Sequence, residues 1–234
     1  MAANGMQWPV PILPRQVHLT PAVQSRTGGL SLNGSEQVIV SDAGRWQAKV
    51  VLALRGESSN LALRAFLAQM SGRAGTVLVP KWDLFRPVNA NGRKLSQVHA
   101  VGYDDNTPHD GGVFNFDWSG FGQNEMPAAQ LSALAVSGTT EISITINDGE
   151  GPRPGHYFGI GSRVYLASHV WQETVGGPTK VRFWPRLRAT AASGEPIILD
   201  KPVCLMRFAT DDQGSDMLSR RGSGSLALEL VEAI

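Results

Sequence analysis

Apolar and polar residues alternate over much of this chain, and that period of two predicts strands. The cleanest case follows Ala43-Gly44: Trp46, Ala48, Val50, Leu52 and Leu54 point one way, while Gln47 and Lys49 point the other. Before it, Leu30-Ser31-Leu32 and Val38-Ile39-Val40 flank Asn33-Gly34, a pair that favours a tight reversal and so predicts a hairpin. The opening 30 residues carry Pro9, Pro11, Pro14 and Pro21. They read as an extended arm or edge strand, because proline donates no ladder hydrogen bond. The period changes once. Leu61, Phe66, Leu67 and Met70 form a helical stripe that Ser58, Ser59 or Asn60 can cap and Gly72 can end. Thr76-Val77-Leu78-Val79 then predicts a strand running into Pro80.

From 81 to 122 regular periodicity is lost. Gly, Asn and Asp are frequent there, yet the stretch holds Trp82, Phe85, Phe114, Phe116, Trp118 and Phe121. A long loop in a compact domain is usually functional or docked, and aromatic residues are the favoured anchors of interfaces. These six residues are therefore the candidate interface with neighbouring chains; the competing expectation is that the rings fill the chain's own core. The Ala-rich stretch 126–135 is too short to predict a helix.

A second strand-rich block opens at Glu141, where Ile142, Ile144 and Ile146 alternate with Ser143 and Thr145 before the turn Asn147-Asp148-Gly149. Short strands are expected at 157–160, 164–171, 180–184 and 197–199, separated by Gly161-Ser162, Gly176-Gly177-Pro178 and Ser193-Gly194. This spacing suits a small barrel or sandwich. The tail predicts two more strands, 203–208 and 226–231, expected to return to the first sheet. The chain is thus expected to be mainly β, an N-terminal sheet domain with one packed helix and a long loop (1–135), an inserted small barrel (136–200) and returning C-terminal strands (201–234).

Composition narrows the function. The chain has 234 residues, 42% of them hydrophobic and 18% charged, with a formal net charge of +1. That balance gives no global attraction to nucleic acid or to an anionic membrane, and little repulsion between copies. A single cysteine, Cys204, lies in the apolar run Val203-Cys204-Leu205-Met206 and reads as a small core residue. No stretch approaches the roughly 20 apolar residues of a membrane helix, and the first ten residues lack the basic and apolar regions of a signal peptide.

Candidate chemistry is sparse. Gly159-Ile160-Gly161 begins like a dinucleotide fingerprint, but Val164 stands at the third glycine position and strand patterns flank it, so turn glycines are expected. Asp104, Asp105, Asn106 and Asp110 cluster before Gly111-Gly112 without the spacing of a calcium loop. His18, His99, His109, His156 and His169 are scattered, with no zinc spacing among them. No Gly-x-Ser-x-Gly elbow occurs, and Glu141, Glu150, Glu173 and Glu195 fall at strand starts or turns. We therefore expect no catalytic residue, no metal and no cofactor. Arg182-Phe183-Trp184-Pro185-Arg186-Leu187-Arg188 mixes basic and aromatic residues and could stack on sugars or single strands. The plainer expectation puts Val181 and Phe183 in the barrel core and the arginines outside.

Several short runs in order carry a resemblance: Gly44-Arg45-Trp46, Leu63-Arg64-Ala65-Phe66-Leu67 and Gly72-Arg73-Ala74-Gly75-Thr76, then Phe158-Gly159-Ile160-Gly161-Ser162-Arg163-Val164-Tyr165, Phe183-Trp184-Pro185-Arg186-Leu187-Arg188 and Pro202-Val203-Cys204-Leu205-Met206-Arg207. Over residues 38–80 and 155–210 the chain resembles tail-tip proteins of long, flexible-tailed bacteriophages, of the distal tail protein type. The resemblance implies a structural virion protein rather than an enzyme. It implies a ring of copies, typically a hexamer, whose N-terminal β-domains form the annulus while a second β-domain points outward. The implied partners are the tail tube and the hub or baseplate, with assembly in the host cytoplasm and no specific nucleic-acid or membrane binding. It carries over no binding residue. A tail-tube, terminator or hub adaptor of the same particle, or a carbohydrate-binding module, are the alternative readings.

Overall fold

In a computed structural model, residues 5–9, 12, 14–30, 32–88, 108–109, 112–113, 127–213 and 223–234 are described. The protein is mainly β, with one α-helix among the described residues and a closed barrel. The chain begins with β1 (Met6–Gln7), β2 (Pro14–Leu30) and β3 (Glu36–Arg55), then α1 (Gly56–Met70), a 3-10 turn at Gly72–Ala74 and β4 (Val77–Pro80). Two-residue strands β5 (Pro108–His109) and β6 (Gly112–Val113) pair with each other. Next come β7 (Ala128–Leu131), β8 (Glu141–Asp148), β9 (Tyr157–Ile160), β10 (Arg163–Gln172), β11 (Thr179–Trp184) and β12 (Pro196–Ile198). Last are β13 (Val203–Phe208) and β14 (Ser223–Glu232).

Two compact units result, one of Met1–Trp82 with Val203–Ile234, the other of Asp83–Pro202. The first is a six-stranded sheet in the order β1-β4-β13-β14-β3-β2, with β1 parallel to β4 and the remaining pairs antiparallel. The two C-terminal strands lie in its middle, joining the early strands β4 and β3.

One face of this sheet is the core. Trp46, Ala48, Val50, Leu52 and Leu54 are all buried, as the alternation requires, and Leu226, Leu228 and Leu230 of β14 and Cys204, Met206 and Phe208 of β13 extend the same layer. Helix α1 lies against β3 and adds Leu63, Phe66 and Met70. Phe66 meets Phe208 edge-on at 6.1 Å and Trp8 at 5.7 Å.

The helix starts earlier than its polar residues suggest. Gly56, at φ +76°, turns β3 straight into α1, a backbone conformation costly for any residue with a Cβ. None of the three expected caps occupies the first position. Instead Ser59 reaches back from inside the first turn, where its Oγ accepts the Arg55 N–H at 3.0 Å and donates to the Arg55 carbonyl at 2.7 Å. Leu61, expected in the apolar stripe, is exposed and Leu63 takes that place. At the far end Ser71 adopts a left-handed conformation, and the Gly75 N–H donates to the Met70 carbonyl at 2.8 Å. A Cβ on Gly75 would fall 2.3 Å from that carbonyl oxygen, so the return into β4 needs glycine.

The second unit is built on a barrel closed in the order β10-β11-β8-β7-β12-β9. Its sixth strand is β7, drawn from the Ala-rich stretch, so the barrel begins before residue 136. Ala129 and Leu131 point inward, where a small and a large side chain fill the interior. Phe158, Tyr165 and Phe183 form an aromatic triangle with centroids 5.1–5.7 Å apart. The Tyr165 hydroxyl satisfies itself by accepting the Arg188 N–H at 3.2 Å. Gly161, at φ +57°, occupies the β9–β10 reversal, so the Gly159-Ile160-Gly161 run is a hairpin turn without a following helix.

Candidate assembly surface

The β2–β3 hairpin is longer than the sheet that supports it. Strand β14 pairs with β3 only from Arg55 to Gln47, whereas β2 follows β3 from Leu52 to Glu36. Among the described residues, β3 beyond Trp46 has no strand on its second side, leaving a two-stranded ribbon of about nine residues, roughly 30 Å long. The junction is marked in the backbone. Between Ala22↔Arg45 and Gln24↔Ser41, β3 takes four steps while β2 takes two, so Ala43-Gly44 forms a bulge inside one strand rather than the strand boundary its composition predicts. At the tip the Asn33 side chain accepts hydrogen bonds from the Ser35 N–H and hydroxyl, and Gly34 takes φ +79°.

The ribbon exposes apolar side chains on both of its faces. Val38 and Ile39 are successive residues, hence on opposite sides, and are 52% and 63% exposed. Val23 and Leu32 are exposed too. Two strands alone are at best marginally stable in water, and such side chains gain from being covered.

The sheet-backed part of β2 is different. The Trp46 N–H donates to Glu232 Oε2 at 3.1 Å, so its backbone groups face β14 and turn away from β2. Residues 48, 50 and 52 share that parity. Their partners on β2, Pro21, Leu19, Val17 and Pro14, are therefore the positions whose N–H groups face the open edge. Proline at two of these four positions removes half of the donors another strand would need, a known protection against edge-to-edge pairing. The ribbon contains no proline.

Of the six aromatic residues proposed as interface, Phe114, Phe116, Trp118 and Phe121 lie outside the described residues. Trp82 is half-buried, edge-on to Trp8 at 5.8 Å, and so joins the Trp8–Phe66–Phe208 cluster of the first unit. Phe85 belongs to the second unit and is 71% exposed beside exposed Leu84. Residues 83–88 are held to their unit by an Arg86–Asp200 ion pair of 2.9 Å and by the Glu150 N–H donating to the Val88 carbonyl at 2.9 Å.

The polar candidates do not converge. His18 lies opposite Lys49 in the first unit, while His156 Nδ1 accepts the Arg153 N–H and His169 sits on β10. Asp104, Asp105, Asn106, Asp110 and His99 lie outside the described residues. Among the described residues no group of three or more His, Cys, Asp or Glu side chains could hold a metal ion. A depression of about 290 Å³ on the sheet face away from α1 is lined by Thr20, Gln47, Lys49, Ala209, Glu229 and Val231. It presents one exposed ion pair, Lys49–Glu229 at 3.7 Å. Cys204 is buried in the core. Among the described residues no helix is long and apolar enough to cross a membrane.

Sequence reasoning missed the ribbon's length and the role of Glu232. Asn33-Gly34 marks the tip, but Ala43-Gly44 reads as a break in a strand that runs on.

The chain matches no protein-family model, and no curated protein matches it.

Proposed function

We propose that this chain is a structural ring subunit of a bacteriophage tail tip, joining copies of itself into an annulus between the tail tube and the hub or baseplate of the virion. One observation carries the proposal: a ribbon about 30 Å long leaves the sheet with apolar residues open on both faces. A monomer gains nothing from holding Val38 and Ile39 in water, whereas a neighbouring copy that receives the ribbon buries both faces at once. The prolines of β2 support the same reading, because they direct association away from the open edge of the sheet body and toward the ribbon. A sheet-and-helix unit followed by a separate closed barrel also fits the division of labour the resemblance implies, an annulus-forming domain and an outward one.

Light scattering and negative-stain microscopy of the purified chain test this. The expected result is a ring of about six copies, with a subunit of 25.1 kDa as the repeating mass. A particle that stays monomeric at high micromolar concentration, alone and when mixed with purified tail-tube protein, overturns it.

A further inference from the structure

The outer wall of the barrel carries a cluster that the assembly reading leaves unused. On β10 a bulge at Ser168 separates inward Ala167, opposite Phe183, from outward His169, opposite Arg182. The Ser168 hydroxyl fixes the bulge by donating to the Arg182 carbonyl at 3.0 Å. From there His169 and Trp171 share the outer face with the alternate residues of β11 and β8. Two cross-strand rows result, His169–Arg182–Glu141 and Trp171–Lys180–Ser143.

The side chains of these rows meet. The His169 and Trp171 rings lie 5.1 Å apart, tilted by 34°. The Arg182 guanidinium carbon is 5.8 Å from the Trp171 ring centre, and its Nη2 is 3.5 Å from Glu141 Oε2. Lys180 Nζ lies 2.6 Å from Glu173 Oε1 and 3.9 Å from Glu141 Oε1. The barrel core does not need this group, since Ala167, Val181, Phe183 and Ile142 fill the interior from the opposite faces of the same strands. Exposed ion pairs of this kind contribute little to stability and do not explain an aromatic pair held outside.

We propose that this face is a binding platform for neutral carbohydrate, with a pyranose ring against Trp171 and its hydroxyls reaching Arg182, Glu141 and Lys180. The charge pattern selects the ligand class. Two cations and two carboxylates alternate and are engaged with one another, so a polyanion such as single-stranded nucleic acid would have to displace Glu141 and Glu173 to reach Arg182 and Lys180. A sugar hydroxyl needs no displacement, because it can accept from a cation and donate to a carboxylate in the same place. The less polar C–H face of a pyranose suits an indole that offers apolar area. The platform belongs to the second unit alone and does not depend on ring formation.

The test uses the intact chain and soluble hexasaccharides of glucose, galactose, mannose and N-acetylglucosamine, followed by the Trp171 indole N–H signal in NMR. At least one should give a saturable shift, with affinity weakened at least about tenfold in Arg182→Met and unchanged in Thr145→Ala, an exposed position farther along β8; in Trp171→Ala, which lacks the reporting indole, titration calorimetry should show a loss of the same size. Arg182→Met keeps the aliphatic stem on an exposed site, so it remains informative if the tryptophan variant folds poorly. The proposal is overturned if no sugar shifts the indole signal at tens of millimolar, or if the shift survives in Arg182→Met. It is equally overturned if a thymidine oligonucleotide binds this face and the sugars do not.

Discussion

Glu232 puts a carboxylate, 2% exposed, at the end of a row whose preceding inward members on β14 are Leu226, Leu228 and Leu230. The ladder between β14 and β3 stops at Val231↔Gln47, and the next donor on β3 is the Trp46 N–H. Glu232 Oε2 accepts that hydrogen bond, extending the ladder by one side-chain contact. Glu232→Ala should therefore cost about 1–3 kcal/mol, because a buried donor loses its acceptor, while Glu232→Gln should retain most of the stability. Denaturant titration of the two variants checks this; equal losses would point to the charge rather than the acceptor. On β3 itself, Leu52→Ala should cost about 2–5 kcal/mol and Lys49→Ala under about 0.5 kcal/mol. Leu52 is fully buried, whereas Lys49 makes only a 3.7 Å ion pair in open solvent. The facing of Trp46 to Leu54 was legible in the sequence because one side of that strand is uniformly apolar. Glu232 was not, since the period-two pattern predicts an apolar residue there and its reason lies in where a partner strand ends.

The ribbon shows the same limit at the scale of elements. Turn chemistry is local, so Asn33-Gly34 announced the reversal correctly. Strand length is not local: Ala43-Gly44 looks like a strand boundary, but a cross-strand partner carries the ladder past it as a bulge. The start of α1 was misplaced because left-handed Gly56 turns β3 directly into the helix, ahead of the polar residues expected to cap it. Under the proposed function, the ribbon should separate stability from assembly. Gln24 and Ser41 face each other across the hairpin, so residues 25–40 can be replaced by Asn-Gly without disturbing the strands below. Every side chain described between them is exposed. The shortened chain should melt within a few degrees of the parent while losing its oligomeric state in light scattering. A large drop in melting temperature would show that the ribbon folds back on its own subunit instead.

At the scale of the whole molecule, turn glycines at regular intervals made five barrel strands legible. The sixth, β7, was hidden because alanine carries little strand preference and is selected here by the space inside a closed barrel. Of the aromatic loop, the sequence could not tell that half-buried Trp82 would pack edge-on against Trp8 of the first unit while Phe85 stays exposed on the second, because neither has a periodic context. The order of strands makes the last prediction. Strand β4 ends at Pro80, whose ladder partner is Val203, the first residue of β13, so the barrel unit leaves and re-enters the sheet at adjacent points. Joining Trp82 to Val203 through Gly-Ser-Gly converts that connection into a five-residue hairpin loop, a length natural hairpins use. The sheet unit keeps all six strands, its helix and its aromatic cluster in this variant, and should fold with one cooperative transition. Residues 83–202 expressed alone keep the closed barrel and should fold as well. Since the ribbon belongs entirely to the sheet unit, the barrel-less variant should, under the proposed function, still form rings with the same number of copies, seen in light scattering and negative-stain images. If it unfolds in one cooperative transition yet stays monomeric while the intact chain forms rings, the contacts that close the ring lie in residues 83–202, and the ribbon is not the assembly element.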